Sequence, residues 1–112
     1  MSGARVRQDG LLTTRISQDR DRLVLRAAGE LDIASAPGLE HSLLHALEGS
    51  ARSIVLDLRA VDFIDGAGLR VLLWAAGRSR EDGDRLRIDC GSPAVRQLID
   101  LSGAGGELPL IR

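Results

Sequence analysis

Apolar residues along the chain follow two spacings, one typical of β-strands and one typical of helices. Two short apolar segments separated by a charged turn at residues 18–21 predict an antiparallel hairpin. A longer aliphatic run near the middle of the chain predicts a strand that is buried on both faces. The predicted strands are Leu11–Ser17, Leu23–Ala28, Ile54–Leu58 continuing through Val61–Ile64, Leu86–Cys90 and a short edge strand at Leu108–Ile111.

Three other segments repeat their apolar residues at helical spacing. The first helix is predicted to begin at Ser35–Pro37, with Ser35 as its cap, and to end at Gly49. The second follows the Gly-containing turn Asp65–Gly68, and the third begins at Ser92–Pro93 and ends at Gly103. The predicted buried stripes are Leu39, Leu43 and Leu47 in the first helix, Leu69, Leu72, Leu73 and Ala76 in the second, and Val95, Leu98 and Ile99 in the third.

The resulting order, β-β-α-β-α-β-α-β, predicts an α/β fold with a mixed sheet of four to five strands. Because right-handed crossovers place consecutive helices on the same face of a parallel sheet, we expect the helices to pack mainly on one face. At 112 residues the chain is long enough for a single domain, which we place at residues 11–112. Residues 1–10 are polar and are predicted to form a flexible N-terminal tail.

Composition and charge argue against several classes of function. The net charge of −1 gives no broad positive surface for nucleic acid or an anionic membrane. Phe63 and Trp74 are the only aromatic residues, which is too few for a platform that stacks bases. No apolar run reaches the length of a membrane span, and the N-terminal residues lack the apolar segment of a signal peptide. We therefore expect a soluble, cytoplasmic protein.

The residue pattern does not predict an enzyme or a metal site. His41 and His45 lie one turn apart on the first helix, but a catalytic zinc site needs a third defined ligand, so we interpret both as solvated. The serines are scattered, and none lies in a Gly-x-Ser-x-Gly motif. Cys90 is the only cysteine, and we interpret it as a small core residue. We expect no catalytic residue, no metal and no cofactor.

The segment Asp62–Leu69, which we call the rim turn, is the most informative stretch about function. A strand that leads into a helix through a short turn places that turn at the sheet edge where ligands and partners usually bind. Backbone amides at the start of the following helix could hold an anion. The carboxylates of Asp62 and Asp65 would repel phosphate there, which weakens that interpretation.

Trp74 lies on the second helix, on the side opposite its predicted apolar stripe and between Arg70 and Arg78. A Trp flanked by Arg residues is typical of an interface hot spot. Alternatively, the indole folds against a neighbouring helix, because large aromatic side chains are rarely left exposed in a monomer. The pattern leaves both orientations open.

Several segments together resemble a STAS domain, the fold of bacterial anti-sigma factor antagonists. They are spread over residues 11–111 and comprise Gly29–Asp32 with Ser35–Pro37, Ile54–Leu58, Val61–Leu69, Ser92–Val95 and Leu101–Gly103. The resemblance implies a mixed sheet with helices mainly on one face. It also implies a protein partner, an ATP-dependent anti-sigma factor of the serine kinase type, which would bind the rim turn and the second helix.

In this family the last five residues of the rim turn, which are residues 65–69 here, have the pattern Asp-Ser-Ser/Thr-Gly-Leu. The hydroxyl group directly before the Gly accepts phosphate. Here Asp65, Gly68 and Leu69 match the pattern, whereas Gly66 and Ala67 replace both hydroxyl residues. We therefore expect a domain that binds its partner without being phosphorylated at this position. The residues expected to bind the partner are Asp32, Asp62, Asp65, Gly66, Ala67, Gly68, Leu69, Arg70, Trp74 and Arg78.

Two other kinds of function are compatible with the same residues. STAS domains also serve as regulatory subunits of other assemblies, such as a transporter or a stress-signalling complex. A sensor that binds a small ligand or nucleotide at the amides of the rim turn is the other possibility. An enzyme is the least favoured of the functions considered.

Overall fold

The structure, a computed structural model that describes residues 4–111, contains six strands in one sheet and three α-helices. The strands are β1 (Ala4–Asp9), β2 (Leu12–Asp19), β3 (Arg22–Leu31), β4 (Ser53–Ile64), β5 (Leu86–Asp89) and β6 (Leu110–Ile111). The helices are α1 (Ala36–Glu48), α2 (Gly66–Glu81) and α3 (Pro93–Ser102), and a 3₁₀ turn spans Ala104–Glu107. The strands lie across the sheet in chain order.

The predicted fold class is confirmed. β1, β2 and β3 pair antiparallel, and β3 to β6 pair parallel, so the predicted hairpin is followed by alternating helices and parallel strands. The predicted edge strand is present as β6, although it is shorter than the apolar pattern suggested. Within residues 4–111, no helix combines the length and apolar character needed to cross a membrane.

The N-terminal segment differs from the prediction. Ala4–Asp9, which the polar pattern assigned to a flexible tail, forms β1 and pairs with β2. The chain reverses at Gly10, whose φ of 56° is readily adopted by glycine. The sheet therefore has six strands rather than four to five, and the ordered domain begins before Leu11. Met1–Gly3, the start of the predicted tail, lie outside the described residues.

The helices cover one face of the sheet, as predicted. Leu25, Leu56 and Ile88 are adjacent in the register of β3, β4 and β5, and all three are fully buried in the hydrophobic core. The predicted leucine stripe of α1 belongs to the same core, and α1 packs against α2. Cys90 is buried there as well, in agreement with its interpretation as a core residue. Burial of one face explains the apolar alternation of the strands.

The opposite face of the sheet carries an ionic cluster around Asp57. Arg59 Nη2 lies 2.9 Å from Asp57 Oδ2, and Arg26 Nε lies 3.5 Å from the same oxygen. Arg59 Nε also lies 3.5 Å from Asp89 Oδ2. The hydrogen bonds from Arg59 and the charge of Arg26 hold the pKa of the Asp57 carboxyl below its ordinary value, although partial burial opposes them.

We expect Asp57→Asn to lower the free energy of unfolding by about 1 kcal/mol at neutral pH, because its arginine partners are largely exposed. A lowered pKa stabilises the fold above the ordinary carboxyl value of 3.8, and this contribution is lost as the pH falls through the lowered value. Urea unfolding at neutral pH and at about pH 3 should therefore show the difference between wild type and variant shrinking in acid.

Asp19→Asn provides the matched control for this prediction, because Asp19 is exposed and forms no ion pair within residues 4–111. The control should leave stability unchanged at both pH values. A difference between wild type and Asp57→Asn that is equally large in acid would contradict the assigned direction of the pKa shift.

α2 turns a different face toward the core than its leucine spacing predicted. Its buried residues are Gly68, Val71, Leu72, Ala75, Ala76 and Ser79. Leu72 and Ala76 of the predicted stripe are buried as predicted, whereas Leu69 and Leu73 pack against the core with part of their surface exposed, so the centre of the buried face is rotated from the predicted one. The buried residues follow Gly68 at intervals of three, four, seven, eight and eleven, which indicates that the close approach of Gly68 to the sheet sets the rotation.

Candidate functional site

The rim turn lies where the carboxyl ends of β3 and β4 meet the start of α2. Leu31 and Ile64 are partners in the parallel register, and the next amide, that of Asp65, donates to Leu31 O at 3.2 Å. The chain then enters α2 directly at Gly66. The rim turn and the β3–α1 loop (residues 32–35) therefore form one continuous edge, at the position expected for ligand or partner binding in α/β sheets.

The carboxylate of Asp65 connects the start of α2 to the β3–α1 loop through hydrogen bonds. Oδ1 accepts hydrogen bonds from the amides of Ala67 at 2.9 Å and Gly68 at 3.1 Å, which makes Asp65 the N-cap of α2. Oδ2 accepts from the amide of Ile33 in the β3–α1 loop at 3.2 Å. One side chain thus fixes both the start of α2 and the neighbouring loop.

The β3–α1 loop is held by its own polar residues. Asp32 Oδ1 accepts from the amides of Ala34 and Ser35, both at 3.0 Å. The buried Ser35 hydroxyl donates to Glu30 O at 2.8 Å and accepts from the Asp32 amide. Ser35 stands at the N-cap position of α1 but makes no capping hydrogen bond with its side chain, so its predicted capping role is wrong. Its hydroxyl closes the loop instead.

Gly66 and Gly68 have opposite environments. A Cβ at Gly68 would lie 2.7 Å from Leu31 Cγ and 2.9 Å from Leu31 O, so only glycine allows α2 to approach the sheet this closely. A Cβ at Gly66 would meet nothing within 4 Å. Between them, Ala67 is partly exposed at the first turn of α2.

Three of the amides at this helix start are already in use. Ala67 and Gly68 donate to Asp65 Oδ1, and the amide of Leu69 donates to Asp65 O at 3.0 Å. A bound anion would have to displace the Asp65 carboxylate to reach them. The arrangement therefore argues against an anion held at these amides and favours a surface that another protein contacts.

The structure brings most of the predicted binding residues to this edge. Asp62 and Arg70 are exposed beside the turn, and Leu69 is partly exposed. Trp74 packs against the hydrophobic core with part of its surface exposed, which agrees with the second of the two orientations considered for it. Arg78 lies three turns along α2 near Glu48 and Gly49 at the end of α1, well away from the rim turn.

Three exposed apolar side chains at the same edge were not predicted. Ile33 in the β3–α1 loop is 78% exposed, and Phe63 in β4 is 46% exposed. Leu11, in the β1–β2 turn, is also exposed, and its carbonyl accepts from the amide of Glu30. A large apolar residue inside the polar turn Asp32–Ser35 was a signal that sequence reasoning could have used. Clustered exposed apolar groups with polar residues around them are typical of a protein interface.

The geometry offers little for a metal ion. Within residues 4–111, no three His, Cys, Asp or Glu side chains are arranged to hold one. His41 and His45 are exposed on α1, on the side that faces β1.

Comparison with known proteins agrees with this architecture. The family model described as "Mlab, STAS domain" matches residues 14–112. The anti-sigma F factor antagonist of Paenibacillus polymyxa is 27% identical over 100 residues, which cover 88% of this chain and 86% of that protein. BtrV of Bordetella bronchiseptica, provisionally named an anti-sigma factor antagonist, is 35% identical over 81 residues, covering 72% of this chain and 70% of BtrV.

A crystal structure of an anti-sigma factor antagonist from Mycobacterium paratuberculosis superimposes with a TM-score of 0.75 at 30% identity, covering 88% of this chain and 84% of that chain. The chain therefore belongs to the STAS domain family.

Proposed function

We propose that this domain is an anti-sigma factor antagonist that binds an ATP-dependent anti-sigma factor of the serine kinase type through the rim turn and α2. The names of the relatives and of the similar crystal structure support antagonism of an anti-sigma factor. The edge formed by the rim turn and the β3–α1 loop supports the location of the contact. This function places the protein in the cytoplasm, where transcription takes place.

The observation that carries the proposal is an intact rim turn without a hydroxyl group. Asp65 caps α2, and Gly68 allows its close approach to the sheet, so the frame that presents position 67 is preserved. Ala67 occupies the position at which the resemblance to STAS antagonists implies a phosphate-accepting hydroxyl, and Gly66 precedes it. The domain is therefore proposed to bind its partner as a permanently unphosphorylated antagonist.

The missing hydroxyl removes a release switch. A phosphate carries a charge of about −1.5 to −2 at neutral pH. At position 67 it would stand next to the Asp65 carboxylate, whose two hydrogen bonds already take the nearest amides. Repulsion in a closed interface would outweigh the contribution of up to about 1 kcal/mol from the helix N-terminus. Without an acceptor for phosphate, the partner is released only by other means.

A phosphate-transfer assay tests this proposal. We expect no phosphate on residues 65–69 when the wild-type domain is incubated with its anti-sigma kinase and ATP, whereas Ala67→Ser should accept one phosphate. Gly66→Ser is the matched control, because it adds the same hydroxyl one residue earlier and should stay unmodified. Intact-mass and peptide mass spectrometry measure both. Phosphate on residues 65–69 of the wild type would overturn the proposal.

The partner itself is identified by capture from the organism's own cytoplasm on the immobilised domain. A protein with a kinase fold is expected among the captured proteins, and Ala67→Asp should reduce its capture. Capture of a transporter subunit in place of a kinase would assign the domain to a different STAS assembly.

A further inference from the structure

A cleft of about 280 Å³ lies between β1 and α1, away from the rim turn. At one end of the strand the two elements are in contact, since a Cβ at Gly38 would overlap the carboxylate of Asp9. Further along, Arg5 and Arg7 of β1 face His41 and His45 of α1 across the cleft. This volume is just below the range of about 300–1,000 Å³ that is usual for small-molecule sites, so only a small ligand would fit.

The cleft combines an apolar floor with cationic and hydrogen-bond-donating walls. Ile16, Leu23 and Ala46 line the floor and pack against the core. The walls carry two arginines and two imidazoles, and a neutral imidazole also donates through one of its nitrogens. No carboxylate of residues 4–111 lines the cleft, and the nearby Asp9 carboxylate already accepts two hydrogen bonds from Arg7 Nε at 2.8 and 3.1 Å.

Several polar groups of the cleft have no partner in the described part of the chain. Arg5 makes no ion pair or hydrogen bond there, and neither imidazole is hydrogen-bonded. Ser42 of α1 is a mostly buried residue whose hydroxyl is open to the cleft and has no hydrogen-bond partner among residues 4–111. Donors that converge on one cleft above an apolar floor, with no carboxylate of residues 4–111 lining it, indicate a place for an acceptor that carries an apolar part.

We propose that this cleft binds a small amphiphilic anion, an alkyl or aryl carboxylate, with the carboxylate among Arg5, His41 and His45 and the apolar part on the floor. A purely inorganic anion would leave Ile16 and Leu23 uncovered, and a neutral apolar molecule would leave the donors unpaired. The site is separate from the rim turn and does not depend on the proposed binding of an anti-sigma factor.

Titration of the whole isotope-labelled domain with sodium octanoate, followed by NMR, tests this proposal. Octanoate should shift the amide resonances of β1 and the facing turns of α1, while those of residues 66–69 stay in place. The neutral analogue octanol should bind at least tenfold more weakly. Equal binding of both compounds, shifts confined to other regions, or no shifts below the micelle concentration of octanoate would overturn the proposal.

Charge reversal provides the matched pair of variants. Arg5→Glu should weaken octanoate binding at least tenfold, because it places a carboxylate in the wall of the cleft. Arg22→Glu makes the same change at another exposed arginine, outside the cleft, and should leave binding unchanged. Both side chains are exposed, so both variants should fold, which circular dichroism verifies. Equal losses in the two variants would attribute binding to net charge and contradict a site in the cleft.

Discussion

Replacing Ala67 with Asp is expected to weaken binding of the anti-sigma factor by roughly thirty- to seventyfold. The new carboxylate would stand about 5 Å from that of Asp65, which is held in place by three backbone amides. In the free domain water screens this pair to a repulsion of about 1 kcal/mol. In a closed interface with an effective dielectric constant near 20 the repulsion rises to about 3 kcal/mol, and the difference opposes binding.

The loss of affinity should not come from unfolding, because a carboxylate in the first turn of a helix is favourable for the helix itself. Ala67→Asn is the matched control, since Asn has nearly the size and shape of Asp without its charge. We expect Ala67→Asn to bind within a few-fold of wild type in isothermal titration calorimetry with the purified anti-sigma factor. Equal weakening by both variants would attribute the effect to size, and unchanged binding of Ala67→Asp would place the interface elsewhere.

The alternation of apolar residues was sufficient to predict the order of elements and the one-sided packing, because those features follow from burial of one sheet face. β1 was not predicted, because it lacks the apolar residues that burial of one sheet face requires. Its inward positions are Arg5, Arg7 and Asp9, which lie beside the cleft and not in the core, so the strand carries no apolar stripe. Pairing with β2 across the two-residue turn Gly10–Leu11 forms this strand, and the glycine at the first turn position was a local hairpin signal.

The rotation of α2 illustrates a second limit. The sequence of this helix allows two apolar stripes that are offset by one residue and share Leu72 and Ala76. The prediction used the stripe with the larger side chains, Leu69 and Leu73. The structure selects the other stripe because Gly68 is pressed against Leu31 and Ile64, which turns Val71 and the small residues that follow toward the sheet. A glycine in the first turn of a predicted helix, where no turn requires it, was the available sequence signal for such a close approach.

At the candidate site, the sequence was enough to identify the rim turn but not the way it is held. The role of Asp65 as a cap for α2 follows from local spacing, whereas its bond to the Ile33 amide joins positions 32 residues apart in the chain. The exposed side chains of Ile33 and Phe63 can likewise be recognised as part of one edge only once the β3–α1 loop and β4 are placed side by side. Their contribution to the interface depends on this tertiary arrangement.

The two glycines of the rim turn are expected to respond to alanine with opposite signs. Gly68→Ala should lower the free energy of unfolding by about 2–3 kcal/mol, because its Cβ would overlap Leu31 and approach Ile64 Cγ1 to 2.9 Å, and Leu31 O cannot move without disturbing β3. Gly66→Ala should raise it by about 0.4–1 kcal/mol, because the site is open and alanine restricts the unfolded chain. Urea unfolding with a common m-value measures both changes.

Binding measurements on the same two variants distinguish the effect of a more rigid rim turn from the effect of a displaced one. Gly66→Ala should retain or slightly improve binding of the anti-sigma factor, because it stiffens the first turn of α2 without moving it. Gly68→Ala should weaken binding even under conditions where the domain stays folded, since α2 must shift away from the ends of β3 and β4. If Gly68→Ala instead proved neutral in both stability and binding, α2 would not rest on Leu31 as closely as described, and the position assigned to the whole rim turn would have to be abandoned.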